Sequence, residues 1–168
     1  IAEIGVNHEG NLETAKDLIL KAANAGADAV KFQSYTPEKY ASSSNIERLK
    51  RVTKFALTKD DHIELISVAK KVGLHFFSTP LTEDWVPFLA ENCEVLKIAS
   101  GDLTFEPTLI AAAKSKCKII LSTGLGSIEE IDKAINIIKK NTDKNKLSEK
   151  LALMHCVAAY PTPIEEAN

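Results

Sequence analysis

Short apolar runs alternate along the chain with longer stretches in which apolar residues recur every three or four positions. The runs occupy 1–6, 27–32, 74–78, 95–99, 118–122 and 151–156. Each is too short for a stable helix and reads as a strand. Between them Leu12, Ala15, Leu18, Ile19, Ala22 and Ala23 share one helical face, and His62, Leu65, Ile66 and Ala69 share another. Val86, Phe88 and Leu89 mark a short third helix, Leu109, Ile110 and Ala113 a fourth, and Ile128, Ile131, Ala134, Ile135 and Ile138 the clearest stripe. Gly26 and Gly73 stand where helices should close in a left-handed residue. Thr58 with Asp61, Thr82 ahead of Glu83 and Asp84, and Ser127 with Glu130 stand where helices should open on a capping side chain.

The pattern is β-α five times, then a sixth strand. Strands joined by helical crossovers run parallel, in sheets covered by helices or closed into a barrel. Strand starts lie roughly 20 to 47 residues apart, near the ~30 of one unit in an eight-unit barrel. The expected fold is therefore α/β, a (β/α)8 TIM barrel of which this chain supplies about the first six strands. A doubly wound open sheet competes, but no Gly-x-Gly-x-x-Gly follows the first strand, which disfavours its dinucleotide-binding form. The longest irregular stretch, 34–57, includes Tyr35-Thr-Pro-Glu-Lys-Tyr40 and a basic helical piece at 46–55. Directly downstream of Lys31, it reads as a lid.

Composition narrows the function. The 168 residues suffice for one domain with a substantial core, assigned here as a partial barrel over 1–168. A net charge of −2 and no basic stripe give no electrostatic case for nucleic acid or an anionic membrane surface. No apolar run approaches the roughly 18 residues of a membrane span. Three widely spaced cysteines without a Cys-x-x-Cys pair argue against a disulfide framework and fit a reducing cytoplasm. Cys117 and Cys156 lie in apolar runs and read as small core residues; Cys93 has no clear assignment. The chain opens inside a strand without Met and stops soon after Tyr160-Pro-Thr-Pro163, so the expectation is a segment of a longer protein, cut at both ends.

Chemistry concentrates at the downstream strand ends. Lys31 and Lys97 each end an apolar run, and an ammonium group is costly to bury without a partner. Glu3, Asn7 and His8 end the first strand, Gln33 the second, and Ser78-Thr-Pro80 the third. Ser100, Gly101 and Asp102 follow the fourth, Ser122 and Gly124 the fifth, and His155 and Tyr160 the sixth. Alternation puts Lys97 opposite Leu96 and Ile98, and Glu3 opposite Ala2 and Ile4, so both face inward in a barrel. Lysines, serine hydroxyls and glycine-exposed amides make a recipe for phosphate or carboxylate. Bland readings stand beside this one. Glu3 can be a structural partner of a lysine, His62, His75 and Trp85 read as surface or packing residues, and His155 reads equally as a core histidine or a ligand.

As a set and in order, six segments resemble the sialic acid (N-acetylneuraminate) synthase family. They are Ala2-Glu-Ile-Gly-Val-Asn-His-Glu-Gly10, Gly26-Ala-Asp-Ala-Val-Lys-Phe-Gln33, Phe77-Ser-Thr-Pro80, Leu96-Lys-Ile-Ala-Ser-Gly-Asp102, Ile120-Leu-Ser-Thr-Gly124, and His155-Cys156 with Tyr160-Pro-Thr-Pro163. The resemblance implies a transferase that condenses phosphoenolpyruvate with an N-acetylated hexosamine, N-acetylmannosamine-like, giving a nonulosonic acid and phosphate. It implies Lys31, Lys97, Ser100 and Ser122 around phosphoenolpyruvate, Tyr160 against the sugar, and Glu3 and Asp102 as catalytic carboxylates; Gln33, at the second strand end, is expected to join the substrate-binding residues. It implies Mn2+ or Mg2+, with the family's metal-binding histidines beyond this chain. It further implies a homodimer at full length and a C-terminal antifreeze-like domain that this chain lacks. The chain departs from the family at Asp102, where Glu is usual, and at Ala158, where many relatives carry Asn or Ser. A class I aldolase using a lysine Schiff base and a non-catalytic anion-binding barrel are the alternatives.

Overall fold

A computed structural model of the chain describes residues 1–143 and 147–167. Its strands are β1 (Ala2–Gly5), β2 (Ala29–Ser34), β3 (His75–Pro80), β4 (Val95–Ile98), β5 (Lys118–Ser122) and β6 (Leu151–Met154). All pair in parallel, in the order of the sequence. A doubly wound sheet reverses its strand order partway; this one never does, so the barrel reading holds and the open-sheet alternative falls. Flat, six strands would extend about 24 Å across at the usual spacing. Yet Glu3 of β1 and Met154 of β6 line one cavity of about 340 Å³. The sheet therefore curls, as a barrel wall does.

Helices α1 (Leu12–Asn24), α4 (Lys59–Lys71), α5 (Val86–Asn92), α6 (Glu106–Lys114) and α7 (Ile128–Lys140) cover the outer face. A short helix, α8 (Leu147–Lys150), leads into β6. Alternation along each strand sends Val30, Phe32, Leu96, Ile98, Ile119 and Leu121 outward, where they are almost wholly buried. Ile19 of α1 and Leu65 of α4 pack on the β1–β3 side, and Leu89, Leu109 and Ile138 on the β3–β5 side. Each such side chain contributes roughly 1.5–3 kcal/mol when removed from water. The expected stripe of α7 is kept except at its first residue: Ile128 is largely exposed because it precedes the turns that lie on the sheet.

The ends of these helices follow the sequence signals, with one exception. Thr58 with Asp61 and Ser127 with Glu130 form reciprocal capping boxes. Gly26 and Gly73, at φ +81° and +77°, close α1 and α4. There the next N–H reaches five residues back, from Ala27 to Ala22 and from Leu74 to Ala69. Thr82 does not cap the turn Glu83–Trp85. Its hydroxyl instead accepts from the Thr36 N–H at 3.1 Å, tying the β3 exit to the β2 exit.

The 34–57 connection has the helix expected at 46–55 but departs from expectation in a second helix and in its packing. It holds two helices, α2 (Pro37–Tyr40) and α3 (Ile46–Phe55). Tyr35, Ala41 and Val52 are buried together in a small core of their own. The Tyr35 hydroxyl donates to the Val52 carbonyl at 3.1 Å. The segment is a packed cap rather than a loose lid. Its apolar residues are too irregularly spaced to reveal this, because they meet through tertiary folding.

Candidate active site

The inner layer of the sheet differs sharply from the outer. Register places Glu3 beside Lys31, Gln33 beside Thr79, and Ser122 beside Met154. Parallel neighbours in register point the same way, so all these side chains turn into the curl. Lys97 lies between two outward residues and joins them. The resulting cup is the 340 Å³ cavity, and every strand lends it at least one side chain.

The two lysines are only 5% and 7% exposed and keep different company. Lys31 Nζ stands 3.0 Å from Glu3 Oε2 and donates to Thr79 Oγ1 at 3.2 Å. Among the described residues Lys97 forms no ion pair, and the Glu3 charge reaches it only from a distance. Lys97 donates to the Ser122 hydroxyl and to the Ile98 carbonyl. Burial, reinforced by the nearby Lys31 charge, holds the Lys97 ammonium below the usual lysine range. Two ammonium groups facing one carboxylate leave the cup with an excess of positive charge.

Around Lys97 the hydroxyls and amides are tied together. Ser100 Oγ accepts from the Gly124 N–H at 3.0 Å. A glycine suits this place: a Cβ at Gly124 would fall 3.0 Å from Ser100 Oγ and 3.1 Å from Cys156 Cβ, tighter than ordinary contact. Cys156 Sγ is 3.3 Å from Ser122 Oγ. Burial works to raise this thiol, but hydrogen bonds from the Ser122 hydroxyl and the Thr123 backbone, with the Lys97 charge, outweigh it and leave the thiol below its usual range.

Of the residues anticipated for a site, Glu3, Lys31, Gln33, Lys97, Ser100 and Ser122 all line the cup. Tyr160 stands on its rim, 98% exposed. Asp102 does not line it. It closes the 3-10 turn Ser100–Asp102, where successive residues point about 120° apart, so a turn that aims Ser100 into the cup aims Asp102 elsewhere. Its Oδ2 is buried without a partner, and burial pushes its carboxyl up to about 6. Cys156, read as a core residue, is half-buried and faces the cup. His155 points the other way from Met154 and is exposed; it is neither a core residue nor part of the cup. His62 is wholly buried.

Met154 and Leu125 belong to the cup without having been singled out, and Thr79, named only within the strand-end segment 78–80, belongs to it too. Thr79 had a signal: two residues from the inward Phe77 and level with Gln33, it had to face inward. Its neighbour Ser78 faces the helices instead and bonds to Ser34 at 2.6 Å. Among the described residues no group of three or more His, Cys, Asp or Glu side chains is placed to hold a metal ion. Glu3 and Cys156 alone do not make such a site. No helix of the described residues is long and apolar enough to cross a membrane.

Comparison with known proteins completes the picture. The sequence pattern of the NeuB family matches residues 18–168. The N,N'-diacetyllegionaminic acid synthase of Campylobacter jejuni is 41% identical over 182 aligned residues, covering 100% of this chain and 54% of that protein. The N-acetylneuraminic acid (sialic acid) synthetase of Leptospira borgpetersenii, solved in complex with citrate, superposes with a TM-score of 0.89 at 37% identity, covering 99% of this chain and 56% of that one. A truncated 3-deoxy-D-arabino-heptulosonate 7-phosphate synthase from Thermotoga maritima, at 17% identity and a TM-score of 0.65 over 89% of this chain and 48% of its own, shares the fold. The chain spans about half the length of the curated relatives it matches.

Proposed function

This chain belongs to the NeuB family, and from that premise we propose that its cup is the donor site of a nonulosonic acid synthase. The reaction is condensation of phosphoenolpyruvate with an N-acetylated hexosamine, N-acetylmannosamine-like, releasing phosphate. One observation carries the proposal. Two almost fully buried ammonium groups and two serine hydroxyls converge in one cup that holds a single carboxylate. Such a site favours a small, multiply charged anion, because charge-assisted hydrogen bonds strengthen where water is excluded. Relatives whose names are those of legionaminic, N-acetylneuraminate-9-phosphate and pseudaminic acid synthases support the reading as a nonulosonic acid synthase.

In this reading Lys97, Ser100 and Ser122 hold one charged end of phosphoenolpyruvate, and Lys31 and Gln33 the other. The donor's methylene carbon attacks the open-chain aldehyde of the sugar. Water adds at the neighbouring carbon, and the tetrahedral adduct expels phosphate by breaking the C–O bond. Glu3, half-exposed and free to leave Lys31 when the donor arrives, is the carboxylate positioned to move a proton to or from the sugar or the water. Tyr160 meets the sugar at the rim. Mn2+ or Mg2+, the metals the family resemblance implies, would polarise the aldehyde. The described residues do not form that metal site by themselves.

A second reading has one observation in its favour. A buried amine held below its usual range, as at Lys97, is what a Schiff-base aldolase needs. One experiment separates the two. The full-length protein is incubated with phosphoenolpyruvate, N-acetylmannosamine and Mn2+. Phosphate release that depends on both substrates, with no adduct trapped by borohydride and pyruvate, is expected. Covalent capture of pyruvate without phosphate release would replace the synthase by the aldolase.

A further inference from the structure

The turn after β5 reads Gly124-Leu125-Gly126, and Leu125 is out of place there by every internal criterion. Its φ is +63°, a left-handed conformation that glycine adopts freely and a branched side chain resists. Gly126 has a steric reason: a Cβ there would fall 2.2 Å from Leu103 Cδ2. Leu125 has none within the described chain, since its side chain is 90% exposed. It fills no core and caps no helix; the cap of α7 is Ser127. The turn around it is nevertheless fixed. The Gly124 N–H bonds to Ser100 Oγ, and the Gly126 N–H bonds to the Thr123 carbonyl at 3.2 Å.

What Leu125 does is line the cup, on the same wall as Ser100 and Ser122 and together with Val157 and Tyr160 at the rim. The cup thus has a cationic floor and an apolar lip. Phosphoenolpyruvate offers the lip almost nothing apolar. The acceptor does: an acyl amide ends in a methyl group. We propose that Leu125 is a specificity-determining contact, held out on a strained turn to cover the acyl methyl of an N-acylated sugar. A hydrophobic contact of this size discriminates one methyl group by roughly 10-fold or more. The inference rests on the synthase reading above and deepens it.

The test compares two acceptors that differ by that methyl, the N-acetyl and N-formyl hexosamines, in the full-length protein. Wild type is expected to favour the N-acetyl sugar by about 10-fold in kcat/KM. In Leu125→Gly and Leu125→Asn, which suit the left-handed backbone, the preference should collapse towards unity, with phosphoenolpyruvate affinity unchanged by calorimetry. A preference that persists in both variants overturns the assignment. So does a lowered Tm with the preference intact, which would mean that Leu125 packs against another part of the protein. If wild type releases no phosphate with either sugar, the synthase reading itself fails and takes this inference with it. That outcome is read on wild type alone, so the two failures are distinguishable.

Discussion

Lys31 and Lys97 occupy equivalent places on their strands, yet they are not equivalent groups. Lys31 is ion-paired with Glu3, whereas the hydrogen-bond partners of Lys97 among the described residues are a hydroxyl and a carbonyl. An arriving anion therefore gains most at Lys97. Asp102 tests the same physics with opposite sign. Its folded pKa, about 6, lies above the ordinary 3.8, so the folded state holds the proton more tightly than the unfolded chain does. That contribution is complete below the unfolded value and is lost as pH rises through about 6, leaving an ionised, under-bonded carboxylate at neutral pH. Asp102→Asn is expected to stabilise the protein by roughly 1–3 kcal/mol at pH 7.5 and by little at pH 4. Urea unfolding at the two pH values measures it; equal effects at both would contradict the burial account. At this scale Lys97 and Glu3 were legible because strand alternation dictates which way they point, and Lys31 and Ser122 because they stand at downstream strand ends. Asp102 was not, because a 3-10 turn replaces alternation just beyond the strand. Leu125 carried no sequence signal at all, since only its backbone angle and exposure single it out.

The elements that carry the cup are braced from behind by a buried polar chain. His62 Nδ1 donates to the Thr58 carbonyl at 2.8 Å, so Nε2 accepts from Ser34 at 2.8 Å, and Ser34 in turn accepts from Ser78. This links the start of α4 to the ends of β2 and β3, one residue from Thr79 and its bond to Lys31. Burial holds the His62 imidazole below its usual value, so the native state keeps it neutral. As pH falls below 6.5 the unfolded chain takes up this proton first, and stability should fall. His62→Phe is expected to lose roughly 1–3 kcal/mol at pH 8, from a buried Ser34 hydroxyl that keeps Ser78 but loses the acceptor of its own proton, and to show a flatter decline on the acid side. Thermal unfolding from pH 5 to 8 checks both; an unchanged slope would remove His62 from the account. Element existence and caps were legible because they depend on local spacing. The packed cap at α2 and α3 was not, because Tyr35, Ala41 and Val52 come together only through the tertiary fold.

For the molecule as a whole, sequential parallel strands bend inner residues from all six strands into one cavity, polar on β1 to β5 and Met154 on β6, while the apolar outer residues hold the helices that keep them there. The fold class was readable from alternation and spacing; that Glu3 and Tyr160, far apart in sequence, share one site was readable only through the family resemblance, and the curl of the sheet is what brings both to the cup. The central claim is that this cup binds phosphoenolpyruvate through Lys97. Calorimetric titration of phosphoenolpyruvate into the full-length protein and its Lys97→Met variant, with Tm as a control for folding, tests it most directly. The account predicts an affinity loss of roughly 10- to 100-fold, as for one charge-assisted contact. It also predicts that wild-type binding weakens as pH rises through the lowered Lys97 value, while the variant shows no such dependence. Equal affinity in a well-folded Lys97→Met protein would contradict it.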